Sequence, residues 1–255
     1  MNRYLSTAYL SFTEKTNGGI LYLLPDVLIK AVTLVPLIFL WRVVMLSGAK
    51  VDMTLEQMLT YTYLSALLAD MLVVKTPASG WLSDGVLLKL YSRPLSVIGQ
   101  LMAQTIGGWM PMLLLFSLPM ALIAPLLGVS LMPSSPLFLL SLLLCVSLGF
   151  AVDFLFACLS IKLRNMNWLI GRIRAAITAV LAGTVIPIRL LPWGLAELMA
   201  YQPFASLGGA PLSIFVGAAN VPRTLLVQVF WNVILWPVAL FVLKKSKEGM
   251  VSYGG

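Results

Sequence analysis

From Pro94 to Val152 the chain carries no charged residue. One helix crosses the hydrocarbon of a bilayer in about 20 apolar residues. A run this long must therefore turn back on itself within or beside a membrane, because a chain of 255 residues cannot hide that surface from water. The rest of the chain agrees: 60% of residues are hydrophobic and 10% charged, where soluble domains carry about a quarter charged. Mean hydropathy is +0.97. Backbone groups in lipid must find their partners internally, and with no alternating strand pattern that leaves helices. The expectation is an all-α, polytopic membrane protein.

Six spans are predicted: Val27 to Leu46, Met58 to Val74, Val97 to Leu126, Leu137 to Leu159, Ala175 to Leu191 and Leu225 to Leu243. Pro36 should bend the first, and Pro111, Pro119 and Pro125 should make the third irregular. Gly128 and the run Met132 to Pro136 separate the third span from the fourth. The stretch 192–223 is predicted to form short amphipathic or re-entrant helices on the outer side, since open coil is not tolerated in lipid. At the other end, 1–24 does not read as a cleaved leader, because Glu14, Lys15 and Asn17 to Gly19 interrupt it before a long apolar core. Leu5, Ala8, Tyr9 and Phe12 can share one face of a helix there.

Six spans put both termini on one side, and the basic residues choose which. With the termini cytoplasmic, the inner side holds Arg3, Lys15, Lys30, Lys75, Lys89, Arg93, Lys162, Arg164, Arg172, Arg174, Lys244, Lys245 and Lys247. Only Lys50, Arg189 and Arg223 fall on the outer side. That is the positive-inside pattern of short loops.

Several chemistries find no residues to carry them. The chain has no histidine and two cysteines, Cys145 and Cys158, both in one apolar run, so a zinc, haem or disulfide framework is poorly supported. No glycine-rich phosphate loop ending in Lys-Ser or Lys-Thr occurs, and no Ser/His/Asp set is possible. Basic residues cluster beside apolar spans rather than along an aromatic stripe, which argues against nucleic acid and for the lipid bilayer as the partner surface. The chain is expected not to be an enzyme and to hold no cofactor.

The most informative short stretch is "DGVLLKLYSRPLS", Asp84 to Ser96, in the predicted cytoplasmic loop 76–96. Leu87, Leu90, Tyr91 and Pro94 follow helical spacing, Lys89 and Arg93 share another face, and Ser83 or Asp84 can cap the start. A helix lying in the membrane interface and a docking surface for a cytoplasmic partner both satisfy this pattern. Three further residues are candidates because charge in lipid must face protein, water or a headgroup. Asp70 has Lys75 nearby, Asp153 has Lys162 nine residues on, and Arg42 can reach Glu56, a headgroup or an anionic substrate.

Gly85, Leu87 or Leu88, Leu90, Arg93, Pro94, Leu95 and Ser96 resemble the "G-x-L-x-x-x-L-x-R-P-L-S" stretch of ABC-2 type transporter permeases. Pro192, Trp193, Pro203, Phe204, Pro211 and Gly217 are similar to a second region of that family, Gln228 and Trp231 to a third, and the chain closes on "YGG" as many relatives do. The resemblance covers nearly the whole length in order. It implies one transmembrane domain over 1–255, an N-terminal interfacial elbow helix in 1–24, and a coupling helix in the 76–96 loop. Leu87, Lys89, Leu90, Tyr91, Arg93 and Pro94 would then dock a separate ABC ATPase subunit that carries Mg-ATP. A second permease copy, or a similar permease, would complete an exporter in a bacterial or archaeal cytoplasmic membrane. The alternatives are a transporter driven by an ion gradient and a non-transporting membrane scaffold or membrane enzyme.

Overall fold

The computed structural model describes residues 3–47, 52–80, 90–163 and 166–251, and all regular structure among them is helical. Four helical stretches are long and apolar enough to span a bilayer: Leu21–Leu46, Val97–Leu127, Phe138–Ser160 and Val221–Ser246. The chain is thus a multi-pass, all-α membrane protein with four such spans among the described residues, not six.

The first span lies in α2 (Ile20–Leu46), which starts earlier than predicted and runs through Pro25 as well as Pro36. Before it, α1 (Arg3–Thr16) lies along α5 (Val97–Met112). Its contact with α5 takes in Ala8 of the predicted apolar face together with polar Ser11. Ser11 donates to the Gln104 carbonyl at 2.8 Å, and a Cβ on Gly107 would stand 2.0 Å from the Ala8 carbonyl oxygen. The two backbones touch there, so only glycine fits. Leu5 and Tyr9 face outward at 62% and 64% exposure. A surface that apolar, next to a spanning helix, belongs in lipid.

After Pro111, α5 continues through a π turn (Leu113–Ser117) into α6 (Leu118–Ile123) and a 3-10 turn (Ala124–Leu127) that ends on Gly128 at φ 73°. The irregular third span is therefore one continuous path that widens at the π turn and tightens at the 3-10 turn, with proline absorbed by these local changes of pitch.

The predicted second span is two shorter helices, α3 (Leu55–Leu67) and α4 (Ala69–Leu72), broken at Leu68. α3 begins on a capping box: Thr54 accepts from the Gln57 N–H, and the Gln57 side chain accepts from the Thr54 N–H. Residues Met58 to Ser65 are all buried, so α3 is a central helix wrapped by protein rather than lipid. That burial explains polar Thr60, Tyr61, Thr62, Tyr63 and Ser65 within it. The Leu67 carbonyl at the break accepts from the Ser117 hydroxyl of the π turn at 2.6 Å.

The fourth span, in α7 (Phe138–Lys162), is 56% buried over its most apolar stretch, against 11% for the first and last spans. α7 forms the inner wall; the last span packs along it, whereas the first packs on α3. The last span lies in α11 (Val221–Val251), bound to α7 by buried Gln228. Gln228 accepts from the Ser141 hydroxyl at 2.8 Å and donates to the carbonyls of Ser141 and Ser206 at 3.1 and 2.9 Å. Trp236 donates to Ser147 Oγ at 2.9 Å, so it packs between helices rather than in an interfacial belt. Trp193 is 92% exposed, as a belt residue would be.

The predicted fifth span, Ala175 to Leu191, is not one helix: its first residues close a 15-residue helix, α8 (Asn167–Leu181), that starts in the predicted loop and is too short to cross alone. The chain turns at Gly183 with φ 69°. Carbonyls at its end are satisfied one by one. Gln202 donates to Leu181, the Gly209 N–H to Ala182, the Tyr61 hydroxyl to Gly183 and the Ser65 hydroxyl to Thr184, at 2.5–2.7 Å. A helix end in an apolar setting requires such partners. Beyond it, 192–223 forms α9 (Leu195–Ala200) and α10 (Gly209–Phe215), the latter packed on α3 and α7.

Candidate functional site

Two features combine charge with burial and stand at one side of the molecule. The first is a cavity of about 1310 Å³ between α1, α2, α4 and α5. Its wall carries Glu14 and Lys15 from α1, Asp26 and Lys30 from α2, Asp70 from α4 and Lys75 just beyond. Tyr22, Trp109 and Met112 supply apolar surface.

Lys30 Nζ donates to Asp70 Oδ2 at 2.6 Å, with the two side chains 21% and 36% exposed. Lys30 lies about 14 Å along the helix axis from Leu21, the start of the span, at a rise of about 1.5 Å per residue. An ion pair that far into an apolar helix survives because each partner neutralises the other and the cavity wets one side. The Phe116 ring of the π turn lies 5.8 Å from the Lys30 ammonium. Lys15 donates to the Gly108 carbonyl at 3.0 Å, beside the turn where Pro111 offers no N–H to Gly107.

The second feature is a buried charge network around Asp153 of α7. Asp153 Oδ2 accepts from the Thr76 N–H at 3.0 Å and from the Thr76 hydroxyl. Arg174 of α8 donates one arm of its guanidinium to Asp153 Oδ1 and the other to the Val74 carbonyl. The Asp153 and Arg174 side chains are 4% and 12% exposed. One carboxylate thus joins α7, α8 and the first residues of the 76–96 loop. At the far end of that loop, Gln100 of α5 donates to the carbonyls of Leu90 and Leu95 at 3.0 and 3.1 Å. Both ends of the loop are fastened to spanning helices.

The structure redistributes the residues singled out from the sequence. Asp70 pairs with Lys30, forty residues away, and Asp153 with Arg174 rather than Lys162. Arg42 is exposed and makes no ion pair with Glu56 among the described residues. Leu87 and Lys89 lie outside the described residues. Leu90 is 1% exposed and sits in this chain's own core with Val74, Val97, Leu101 and Phe154, so its side chain is not free for a partner. Tyr91 is exposed at 48%, Pro94 is exposed and Arg93 is half-buried. Sequence reasoning missed Lys30, Arg174, Thr76 and Gln100 as organising residues. The presence of Lys30 and Asp70 in two separate apolar runs was the available signal for the first pair.

No family model matches this chain, and no curated protein is significantly similar to it. Among the described residues, no group of three or more metal-ligating side chains comes together.

Proposed function

We propose that this chain is the membrane-spanning permease of an ATP-driven exporter of the ABC-2 type, with ATP hydrolysis in a separate subunit and a second permease completing the pathway. The observation that carries the reading is the fastening of both ends of the 76–96 loop. Thr76 is held by Asp153 and Arg174, and Leu90 and Leu95 are held by Gln100. A push on the segment between those ends would pass to α5, α7 and α8 without slack, as a coupling element requires. Lys89, Tyr91, Arg93 and Pro94 would meet the ATPase, while Leu90 anchors the segment from within. In this reading α3–α4, and α8 together with the chain that follows it to Leu191, complete six crossings with both termini cytoplasmic. Together α3 and α4 extend about 27 Å at helical rise, close to the hydrocarbon thickness.

The test is copurification of an ATPase encoded beside this chain, followed by vanadate-sensitive hydrolysis in nanodiscs. Lys89→Glu with Arg93→Glu should release or uncouple the ATPase. A well-folded, monodisperse chain with no ATPase partner overturns the reading.

A second reading is a transporter driven by an ion gradient, favoured by the Lys30–Asp70 pair within an apolar span. It requires transport in proteoliposomes without any ATPase. Transport that persists unchanged in Asp70→Asn would remove it.

A further inference from the structure

A second, smaller cavity lies at the opposite end of the bundle from the charged one. The Ser134 N–H, in the link from the third span to the fourth, donates to the Phe215 carbonyl at 2.8 Å, which places α10 and the start of α11 at that end. The cavity measures about 220 Å³ and opens between α9, α10 and α11. Three charged residues line it: Arg189 from a 3-10 turn (Ile188–Leu190), Glu197 of α9 and Arg223 of α11. All three are exposed, and neither arginine makes an ion pair among the described residues. The lining therefore carries one net positive charge, and both guanidiniums are open to a ligand.

Arg223 is held ready for one. It donates to the Tyr201 hydroxyl, and its guanidinium carbon lies 4.7 Å from the centre of the Tyr201 ring. The Tyr201 carbonyl in turn accepts from Trp231 Nε1 at 2.7 Å, which ties the arrangement to α11. A guanidinium has five N–H donors in a planar fork, so one bond to a neutral hydroxyl leaves most of them for an oxyanion. Depth selects the oxyanion. Arg223 lies about 3 Å along the helix axis from Val221, where the last span starts, and that is the level of lipid headgroups. Leu198 and Leu226 are next to lining residues in sequence and are 67% and 69% exposed, an apolar surface for acyl chains. A volume of about 220 Å³ is below that of drug-sized sites and suits a phosphate whose tails stay outside. We infer that this cavity binds the phosphate of a bilayer phospholipid between Arg189 and Arg223. The bound lipid bridges the turn beyond α8 and the start of α11. Binding needs neither an ATPase nor transport, so it stands apart from the permease reading.

The full chain, stripped of lipid in detergent, is titrated with dioleoylphosphatidylglycerol and with dioleoylglycerol, and bound lipid is counted by native mass spectrometry. The two share their acyl chains, and the phosphate is the only charge that distinguishes them. Saturable binding of the phospholipid is expected, about tenfold or more tighter than that of dioleoylglycerol. Arg189→Gln with Arg223→Gln should weaken it about tenfold or more, the worth of a lost charged hydrogen bond. Both side chains are exposed, so this variant should stay monodisperse. Arg42→Gln removes another exposed arginine, close to the end of the first span, and should leave binding unchanged. Equal binding of the two lipids overturns the inference. So does phospholipid binding unchanged by the double variant, or weakened as much by Arg42→Gln. Displacement of the lipid by millimolar glycerol phosphate assigns the cavity to a soluble phosphate ester and overturns the lipid as its occupant.

Discussion

Removing the Asp153 carboxylate should do more damage than removing the whole ion pair. In Asp153→Ala the Arg174 guanidinium, 12% exposed, keeps the Val74 carbonyl and the Phe156 ring 5.8 Å away but loses its carboxylate, and the Thr76 N–H and hydroxyl lose their acceptor. Stranding one member of a buried pair costs about 3–5 kcal/mol. Unit charges about 4 Å apart attract by about 4 kcal/mol at an effective dielectric of 20, the same order. Arg174→Met should cost less, because Asp153 retains two donors from Thr76. The double variant has no stranded charge, and its cost reduces to unmade hydrogen bonds at Thr76 and Val74, about 1–3 kcal/mol. A coupling energy of about 2 kcal/mol or more is therefore expected from the double-mutant cycle, measured by reversible unfolding in mixed micelles. Arg174→Lys should recover only part of it, since an ammonium cannot reach Asp153 and Val74 with a fixed fork. Single costs that add to the double cost within about 0.5 kcal/mol would refute the reasoning, because independent sites behave that way.

Gly107→Val should separate α1 from α5, since even a Cβ would stand 2.0 Å from a backbone oxygen; a disulfide between Ser11→Cys and Gln104→Cys, formed readily in the parent, should fail in its presence. Gln228→Leu leaves Ser206 and Ser141 without their partner and should cost about 2–4 kcal/mol in the same unfolding assay, whereas Gln202→Ala, with one bond to Leu181 and one from the Phe204 N–H, should cost about half as much. Cys145 and Cys158 are 0% and 2% exposed, so a membrane-impermeant maleimide should label neither until the protein is denatured.

Four spans were legible in the sequence because each keeps a predominantly apolar run over the full bilayer width, a signal that survives any packing arrangement. α3 and α8 misled for opposite reasons. In α3, Thr60 to Ser65 mix polar and apolar residues because protein surrounds the helix, so hydropathy understated its burial and overstated its membrane contact. In α8, the apolar character of 175–191 continued past the helix, and the turn at Gly183 is set by donors from Tyr61, Ser65, Gln202 and Gly209. Those donors are distant in sequence. The same limit applies to the charges. Asp70, Asp153 and Arg42 stood out as expensive, but near neighbours such as Lys75 and Lys162 were the only partners that spacing could suggest. Lys30 and Arg174 come from other helices, and only the fold brings them close.

The side chains that close the end of α8 are made at different times. Tyr61 and Ser65 leave the ribosome long before α8, whereas Gln202 and Gly209 leave after it. While the chain is growing, Leu181 and Ala182 therefore have bare carbonyls in an apolar setting. The segment cannot settle in lipid until its C-terminal neighbours arrive. Biogenesis must hold α8 in a polar or proteinaceous shelter for at least the time needed to add 27 residues beyond Ala182, the interval to Gly209. In nascent chains stalled before Gln202 emerges, a cysteine introduced within residues 175–191 should be open to a thiol reagent, and in chains stalled well past Gly209 it should be protected.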